Sequence, residues 1–240
     1  MFGTPISIPY KTENKVEDKP INKGKAIYLH YPNFKGKASN ALKIMGFDVG
    51  KAIFGNDNVL PVGHGETLLV DEDGKVKYVR YGRYKTGTGV VRPTVKGGNW
   101  GIYDYPDMKP NETTEQYVNR LLDLNKKGGN YLEDSKYGAF EAIEIPNVNY
   151  QQALDYAIAQ SNDPNRSEYS ITNTCATGAC NTIKAGLSKK SKRKTLIPTF
   201  SGSDAEEVTG STMWGWIPGS TNKYAQDMRD LGTSYIFNKK

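Results

Sequence analysis

The residues of this 240-residue chain best suited to chemistry are two cysteines and two histidines. Cys175 follows a short polar run and begins a helical pattern of small and apolar residues, for which Gly186 is the stop signal. Asn173 or Thr174 can cap this helix, whose first turn favours an anion such as a thiolate. The pattern therefore predicts a nucleophile at Cys175. The alternative is that Cys175 and Cys180 are both small buried apolar residues.

A cysteine nucleophile needs a base, and that base needs an orienting partner. His64 opens a predicted strand between Gly63 and Gly65, and these glycines leave room for a substrate. His30 lies among aromatic residues and is interpreted as a packed or surface residue. We therefore expect His64 to be the base for Cys175.

Other chemistries are less well supported by the pattern. A zinc site made of both histidines and both cysteines matches no common zinc module, and two cysteines five residues apart on one helix converge poorly. No nucleophile elbow of a serine hydrolase is present. The glycines at 87–98 do not form a phosphate-binding loop, because no Gly-Lys-Ser/Thr ending precedes a helix. The sequence predicts no metal and no cofactor.

The composition favours a mixed architecture with polyanionic partners. The chain is 37% hydrophobic with a mean hydropathy of −0.65, and its sixteen tyrosines contribute to the core. The net charge of +6 favours polyanionic partners such as nucleic acid, acidic lipid or a cell-wall polymer without choosing among them, and nucleic acid is not the partner expected from the motifs considered below. The basic run at 189–194 is interpreted as a solvated loop, with contact to an anionic polymer as the alternative. Neither a membrane span nor a signal peptide is predicted.

The elements that must position these residues follow from periodicity. Strands are predicted at 26–31, 62–70, 75–81, 100–105 and 139–145, and helices at 37–45, 112–127, 149–160, 175–186 and 224–231. Residues 1–25 are predicted to form an N-terminal arm, 26–187 the catalytic domain, and 188–240 a basic loop and C-terminal extension that packs on the same domain.

The order of these elements resembles that of the circularly permuted NlpC-type papain-like cysteine peptidases and amidases. The segment 63–84 is similar to the histidine hairpin of that family, and 169–187, led in by the helix at 149–160, is similar to its cysteine segment. The histidine precedes the cysteine, as in the permuted branch. The resemblance implies an α+β, papain-like core in which an antiparallel sheet carrying His64 packs on the helix carrying Cys175.

The resemblance also implies a function. Members of the family include peptidoglycan amidases and endopeptidases, toxin domains delivered into rival bacteria, and acyltransferases. A cysteine hydrolase cleaving an amide bond in peptidoglycan peptide is therefore expected, acting as an antibacterial effector. Its expected partners are an immunity protein and a specialised secretion system, which would export it from the cytoplasm to a target cell or periplasm. The alternatives are an acyltransferase or protein deamidase in a target cell, and a non-enzymatic basic protein that binds polyanions.

The third catalytic residue is where the sequence departs from the family, which places a polar residue on the strand after the histidine. Tyr78 and Arg80 share one face of that strand. A tyrosine hydroxyl can accept a hydrogen bond from the imidazole, whereas a guanidinium cannot. Glu66 lies two residues from His64 on the same face. We predict Cys175, His64 and Tyr78 as the catalytic set, with Glu66 and Arg80 as alternatives for the third position.

Overall fold

A computed structural model describes residues 23–37, 43–44, 47–48, 59–61, 63–82, 99–163, 175–188 and 221–238. Within these ranges the strands are β1 (Lys23–Tyr31), β2 (Lys35–Lys37), β3 (Lys43–Ile44), β4 (Phe47–Asp48), β5 (Val59–Pro61), β6 (His64–Val70), β7 (Val76–Gly82), β8 (Asn99–Tyr105), β9 (Phe140–Asn149) and β10 (Thr233–Phe237). The helices are α1 (Thr114–Lys126), a 3₁₀ helix (Glu133–Tyr137), α2 (Tyr150–Asn162), α3 (Cys175–Gly186) and α4 (Thr221–Arg229).

Six strands form one antiparallel sheet in the order β10-β9-β1-β6-β7-β8. Its central strand β6 pairs with β1, so that His64 lies opposite Tyr31 at one end of the sheet. Two further strand pairs, β2 with β5 and β3 with β4, lie apart from it. The predicted α+β class with an antiparallel sheet is confirmed.

Helices cover both faces of the sheet. One face packs against α2, α3 and α4 through a core that includes Tyr28, Leu69, Ile143, Cys180 and Ile183. The other face packs against α1 and the residues around the 3₁₀ helix through a second core that includes Leu29, Leu68, Tyr117, Leu121 and Leu132. Because side chains alternate along a strand, neighbouring residues of β6 serve different cores.

Local signals explain why several of these elements begin where they do. Thr113 and Gln116 form a capping box at the start of α1, each side chain binding the other's backbone N–H. Asn149 caps α2 by accepting a hydrogen bond from the Gln152 N–H at 3.0 Å, at the position where the predicted helix begins. In the turn between β6 and β7, the Asp71 carboxylate accepts hydrogen bonds from two backbone N–H groups.

Small residues let α3 approach the sheet closely. A Cβ atom on Gly178 would lie 2.8 Å from the Tyr81 Cβ, and one on Gly65 would lie 3.0 Å from the Ala176 Cα. The Thr67 hydroxyl donates a hydrogen bond of 3.2 Å to the Ala179 carbonyl oxygen. The start of α3 is therefore anchored directly to the start of β6.

The structure also departs from the predicted elements. Residues 37–45 were expected to be helical, but strands occur at 35–37 and 43–44, where pairing with β5 and β4 decides the conformation. Strand β1 begins at Lys23, inside the segment predicted as an arm, and β10 adds an edge strand that the sequence pattern did not predict. The rest of the arm, the predicted cap at Asn173 or Thr174, and the basic run at 189–194 lie outside the described residues.

Candidate active site

The structure brings Cys175 and His64 together at one end of the sheet. Cys175 is the first residue of α3, and His64 is the first residue of β6. Each is 3% exposed. The two side chains form a hydrogen bond, which is one of the interactions that raise the pKa of His64. A thiol and an imidazole from elements more than a hundred residues apart thus form a contacting pair.

Glu66 orients this imidazole. Its Oε1 atom lies 3.0 Å from His64 Nε2, and both groups are buried. They lie two residues apart on β6 and therefore on the same face of the sheet. The hydrogen bond to Nε2 leaves Nδ1 as the ring nitrogen available to the thiol.

Tyr78 and Arg80 surround Glu66 rather than occupying its place. The Tyr78 hydroxyl and the Arg80 guanidinium both lower the pKa of the Glu66 carboxyl, the first by hydrogen bonding and the second by charge. Tyr78 also stacks on Tyr105, with ring centroids 4.6 Å apart. The sequence interpretation preferred Tyr78 as the direct partner of the base. In the structure, however, the group hydrogen bonded to His64 Nε2 is the Glu66 carboxylate.

The electrostatics of the pair favour separated charges. Burial alone would lower the pKa of His64, but the charges of Cys175 and Glu66, with hydrogen bonds to both, outweigh it and hold that pKa well above its usual value. Burial would likewise raise the pKa of Glu66, but the charge and hydrogen bond of His64 lower it. These opposite shifts favour a charged imidazole beside an ionised Glu66.

A second carboxylate, which the sequence analysis did not identify, also faces the base. Asp134 Oδ2 lies 3.5 Å from His64 Nε2, with the Asp134 side chain 12% exposed. Burial and the nearby charge of Glu66 raise the pKa of Asp134 to about 6. The residue is carried by the 3₁₀ helix, which follows buried Leu132 in the left-handed conformation. No local pattern in the sequence pointed to this helix or to its contact with β6.

The glycines beside His64 have a different role from the one predicted. They were expected to leave room for a substrate, but the space at Gly65 is filled. A Cβ atom there would lie 2.4 Å from the Tyr28 hydroxyl oxygen as well as against α3. Gly63 has a φ of 65°, which favours glycine at the entry to β6. Gly65 therefore provides for helix packing rather than for access.

The other cysteine and histidine are part of the packed structure. Cys180 lies in the core between α3 and the sheet, and burial raises the pKa of its thiol far above the usual value. His30 Nδ1 lies 3.5 Å from Glu141, whose carboxylate also accepts two hydrogen bonds from Arg229 at 2.7 and 2.6 Å. These positions agree with the interpretation of both residues as structural.

An open cleft of about 200 Å³ is lined in part by Tyr78 and Arg80, the two residues that interact with Glu66. Its lining combines tyrosine rings with charged groups and contains Tyr78, Arg80, Tyr103, Asp104, Tyr105, Asn130, Tyr131 and Glu133. None of the helices in the described parts of the chain is long and apolar enough to cross a membrane.

The buried thiol, imidazole and carboxylate all lie within the part of the chain that matches a known protein family. The chain belongs to the TseH-like family of type VI secretion system effectors, whose sequence profile matches residues 26–192. The protein is thus a member of a family of secreted effectors, and the prediction of a secreted effector is confirmed at that level. Membership is also consistent with the predicted dependence on a secretion apparatus and an immunity protein.

A solved structure of the type VI secretion system effector TseH is similar to this chain. It has 14% sequence identity and a TM-score of 0.48, and the match covers 90% of this chain and 93% of that one. A search of curated proteins gave no significant match.

Proposed function

We propose that the protein is a cysteine hydrolase that cleaves an amide bond in bacterial cell-wall peptide after delivery into a target cell. The observation that carries this proposal is the contact of Cys175, at a helix N-terminus, with His64, whose other ring nitrogen is held by Glu66. Family membership supports the delivery, and the resemblance to permuted NlpC-type enzymes supports the substrate. The helix that carries the thiol and the antiparallel sheet that carries the base support a papain-like core.

The proposed reaction begins with proton transfer from the Cys175 thiol to His64 Nδ1. Glu66 stabilises the imidazolium that results, because its carboxylate accepts the Nε2 hydrogen bond at 3.0 Å. The thiolate then attacks the amide carbonyl carbon. Backbone N–H groups in the first turn of α3 are positioned to stabilise the negative oxygen of the intermediate.

The second half of the reaction returns the proton. His64 donates it to the leaving amine, the C–N bond breaks, and the acyl group remains on sulfur as a thioester. Water attacks the thioester while His64 accepts one of its protons, and the C–S bond then breaks with sulfur as the leaving group. The carboxylic acid product leaves and ionises, and His64 returns its proton to the Cys175 sulfur. Glu66 stays ionised throughout, since its interactions with His64, Tyr78 and Arg80 hold its pKa below the usual value.

Digestion of purified sacculi tests the proposal. The wild-type protein should release soluble peptide-containing fragments with new free amines, detected by liquid chromatography and mass spectrometry. Cys175→Ala should abolish this release, while Cys180→Ala, on the same helix, should retain it if the protein is folded by circular dichroism. Full activity of the Cys175→Ala protein would refute the mechanism. Intact sacculi together with mass shifts on target proteins or lipids would refute the cell-wall substrate.

A further inference from the structure

Two carboxylates lie near His64 Nε2, although one hydrogen bond is enough to orient the ring. A single N–H has one proton, and Glu66 Oε1 already accepts it at 3.0 Å. Asp134 Oδ2 nevertheless lies 3.5 Å from the same nitrogen, which has no second proton to donate to it. The charge of Asp134 there repels the charge of Glu66. The imidazole nitrogen and the two carboxylates therefore place three potential metal ligands around one point.

The separations of these donors match those around a small cation. All three ligand atoms lie within 4.8 Å of one another. Bonds of about 2.1 Å in a tetrahedral shell place neighbouring ligand atoms about 3.4 Å apart. The distances from Nε2 to Glu66 and Asp134, 3.0 and 3.5 Å, lie on either side of that value.

A second observation concerns the remaining oxygen of Glu66. Its Oε2 atom is fully buried, and no hydrogen bond to it in the described ranges has ordinary geometry. The nearby Tyr78 hydroxyl therefore satisfies the Glu66 carboxylate only in part. A bound cation would offset the remaining cost of burying this oxygen. Arg80 offsets part of the negative charge, but a guanidinium cannot be a metal ligand, and its Nη1 atom lies 3.9 Å from Glu133.

We propose that His64, Glu66 and Asp134 form a binding site for a divalent cation, with zinc as the best fit. One imidazole and two carboxylates carry two negative charges, and zinc accepts this set with a fourth position left to water. Asp134, the most exposed of the three, provides the way in from solvent. This set differs from the zinc site of histidines and cysteines that the sequence disfavours.

Zinc at this site prevents His64 from acting as the catalytic base. This consequence rests on the proposed function, whereas the binding of zinc does not. A cation on Nε2 fixes the ring proton on Nδ1, which is the nitrogen that accepts the thiol proton. As ligands of the metal, Glu66 and Asp134 also no longer stabilise a charged imidazole. The zinc-bound protein is therefore inactive, and removal of the metal restores the base.

Calorimetric titration of the full-length, chelator-treated protein with zinc chloride tests the binding without any substrate. One zinc per chain is expected. Asp134→Asn should weaken the affinity at least about tenfold, since it replaces a charged ligand. Glu133→Gln is the matched control, because it removes a carboxylate from the same 3₁₀ helix that faces Arg80 instead of His64. Its affinity should equal that of the wild type.

The same titration with Cys175→Ser separates this site from one that uses the thiol. The zinc affinity of Cys175→Ser should equal that of the wild type. The cobalt-substituted wild-type protein, which keeps the thiol, should show d–d absorption without a sulfur-to-cobalt charge-transfer band. The absence of saturable zinc binding, equal affinities for the wild-type and Asp134→Asn proteins, or loss of binding in Cys175→Ser would each overturn the proposal. Binding as expected in a protein without hydrolase activity would leave the site intact and refute only the proposed function.

Discussion

The carboxylate of Asp134 makes folding dependent on pH, and its replacement gives a quantitative test of the site. The folded-state pKa of about 6 lies above the ordinary value of 3.8. Between these values the folded protein binds the extra proton, so the contribution of Asp134 to stability falls as the pH rises through this window. The cost is fully present above about pH 6 and absent below about pH 4. Each pH unit between the two pKa values corresponds to about 1.4 kcal/mol, which gives a cost of about 3 kcal/mol.

Asp134→Asn keeps the size of the side chain and removes the charge. Its free energy of unfolding at about pH 8 should exceed that of the wild type by about 1–3 kcal/mol, and the difference should vanish at about pH 4. Urea denaturation across this range, with a chelator present to exclude metal, measures the difference. The control Glu133→Gln removes a carboxylate that is 39% exposed and should change stability by less than about 0.5 kcal/mol. A less stable Asp134→Asn protein at about pH 8, or a difference independent of pH, would refute the reasoning.

Three further predictions follow from the contacts of the site. Glu66→Gln should lower kcat at least about a hundredfold with little change in KM, because it removes the carboxylate bound to His64 Nε2. Tyr78→Phe alters only a neighbour of Glu66 and should lower kcat less than about tenfold. A larger loss of kcat in Tyr78→Phe would make the tyrosine the orienting group. Gly65→Ala should destabilise the protein by about 1–3 kcal/mol in urea denaturation, because its Cβ would lie 2.4 Å from the Tyr28 oxygen, and unchanged stability would contradict the close packing. In the native protein at neutral pH, an alkylating reagent followed by mass spectrometry should leave Cys180 unlabelled, since burial keeps its thiol protonated; a label on Cys180 would contradict this.

Those parts of the fold that depend on local signals could be predicted from the sequence. The hairpin of β6 and β7 shows strong strand propensity around an acidic turn, and α2 begins with Asn149 and Gln152 as a cap. Lys37 and residues 43–44 were predicted as helical, but they form strands because they pair with β5 and β4, and a short pattern does not show such pairing. An edge strand such as β10 is equally hard to predict, since its partner β9 lies far away in sequence.

The residues of the candidate site likewise differ in whether the sequence could predict them. Cys175 and His64 were found because each lies at the beginning of a regular element, where composition marks the position. Glu66 was considered because two residues along a strand return to the same face. Asp134 had no comparable signal: it lies on a single 3₁₀ turn, and only the path of the chain after Leu132 brings it to the start of β6. A residue placed by tertiary structure alone cannot be read from periodicity.

The choice between the two histidines shows how a sequence argument and a structural argument can agree for different reasons. The sequence favoured His64 over His30 because of its glycines, yet the space at Gly65 is occupied. Both imidazoles in fact lie against a buried carboxylate. The difference is that Glu141 also pairs with a bidentate Arg229 and accepts a hydrogen bond from Ser234. Burial would raise the pKa of Glu141, but the hydrogen bonds with His30, Arg229 and Ser234 together hold it at about 2. Its charge is thus committed to a structural ion pair, whereas Glu66 directs its charge to an imidazole that also contacts a thiol. The contact of His64 with a thiol, together with the bidentate arginine on Glu141, therefore distinguishes the candidate base from the structural histidine.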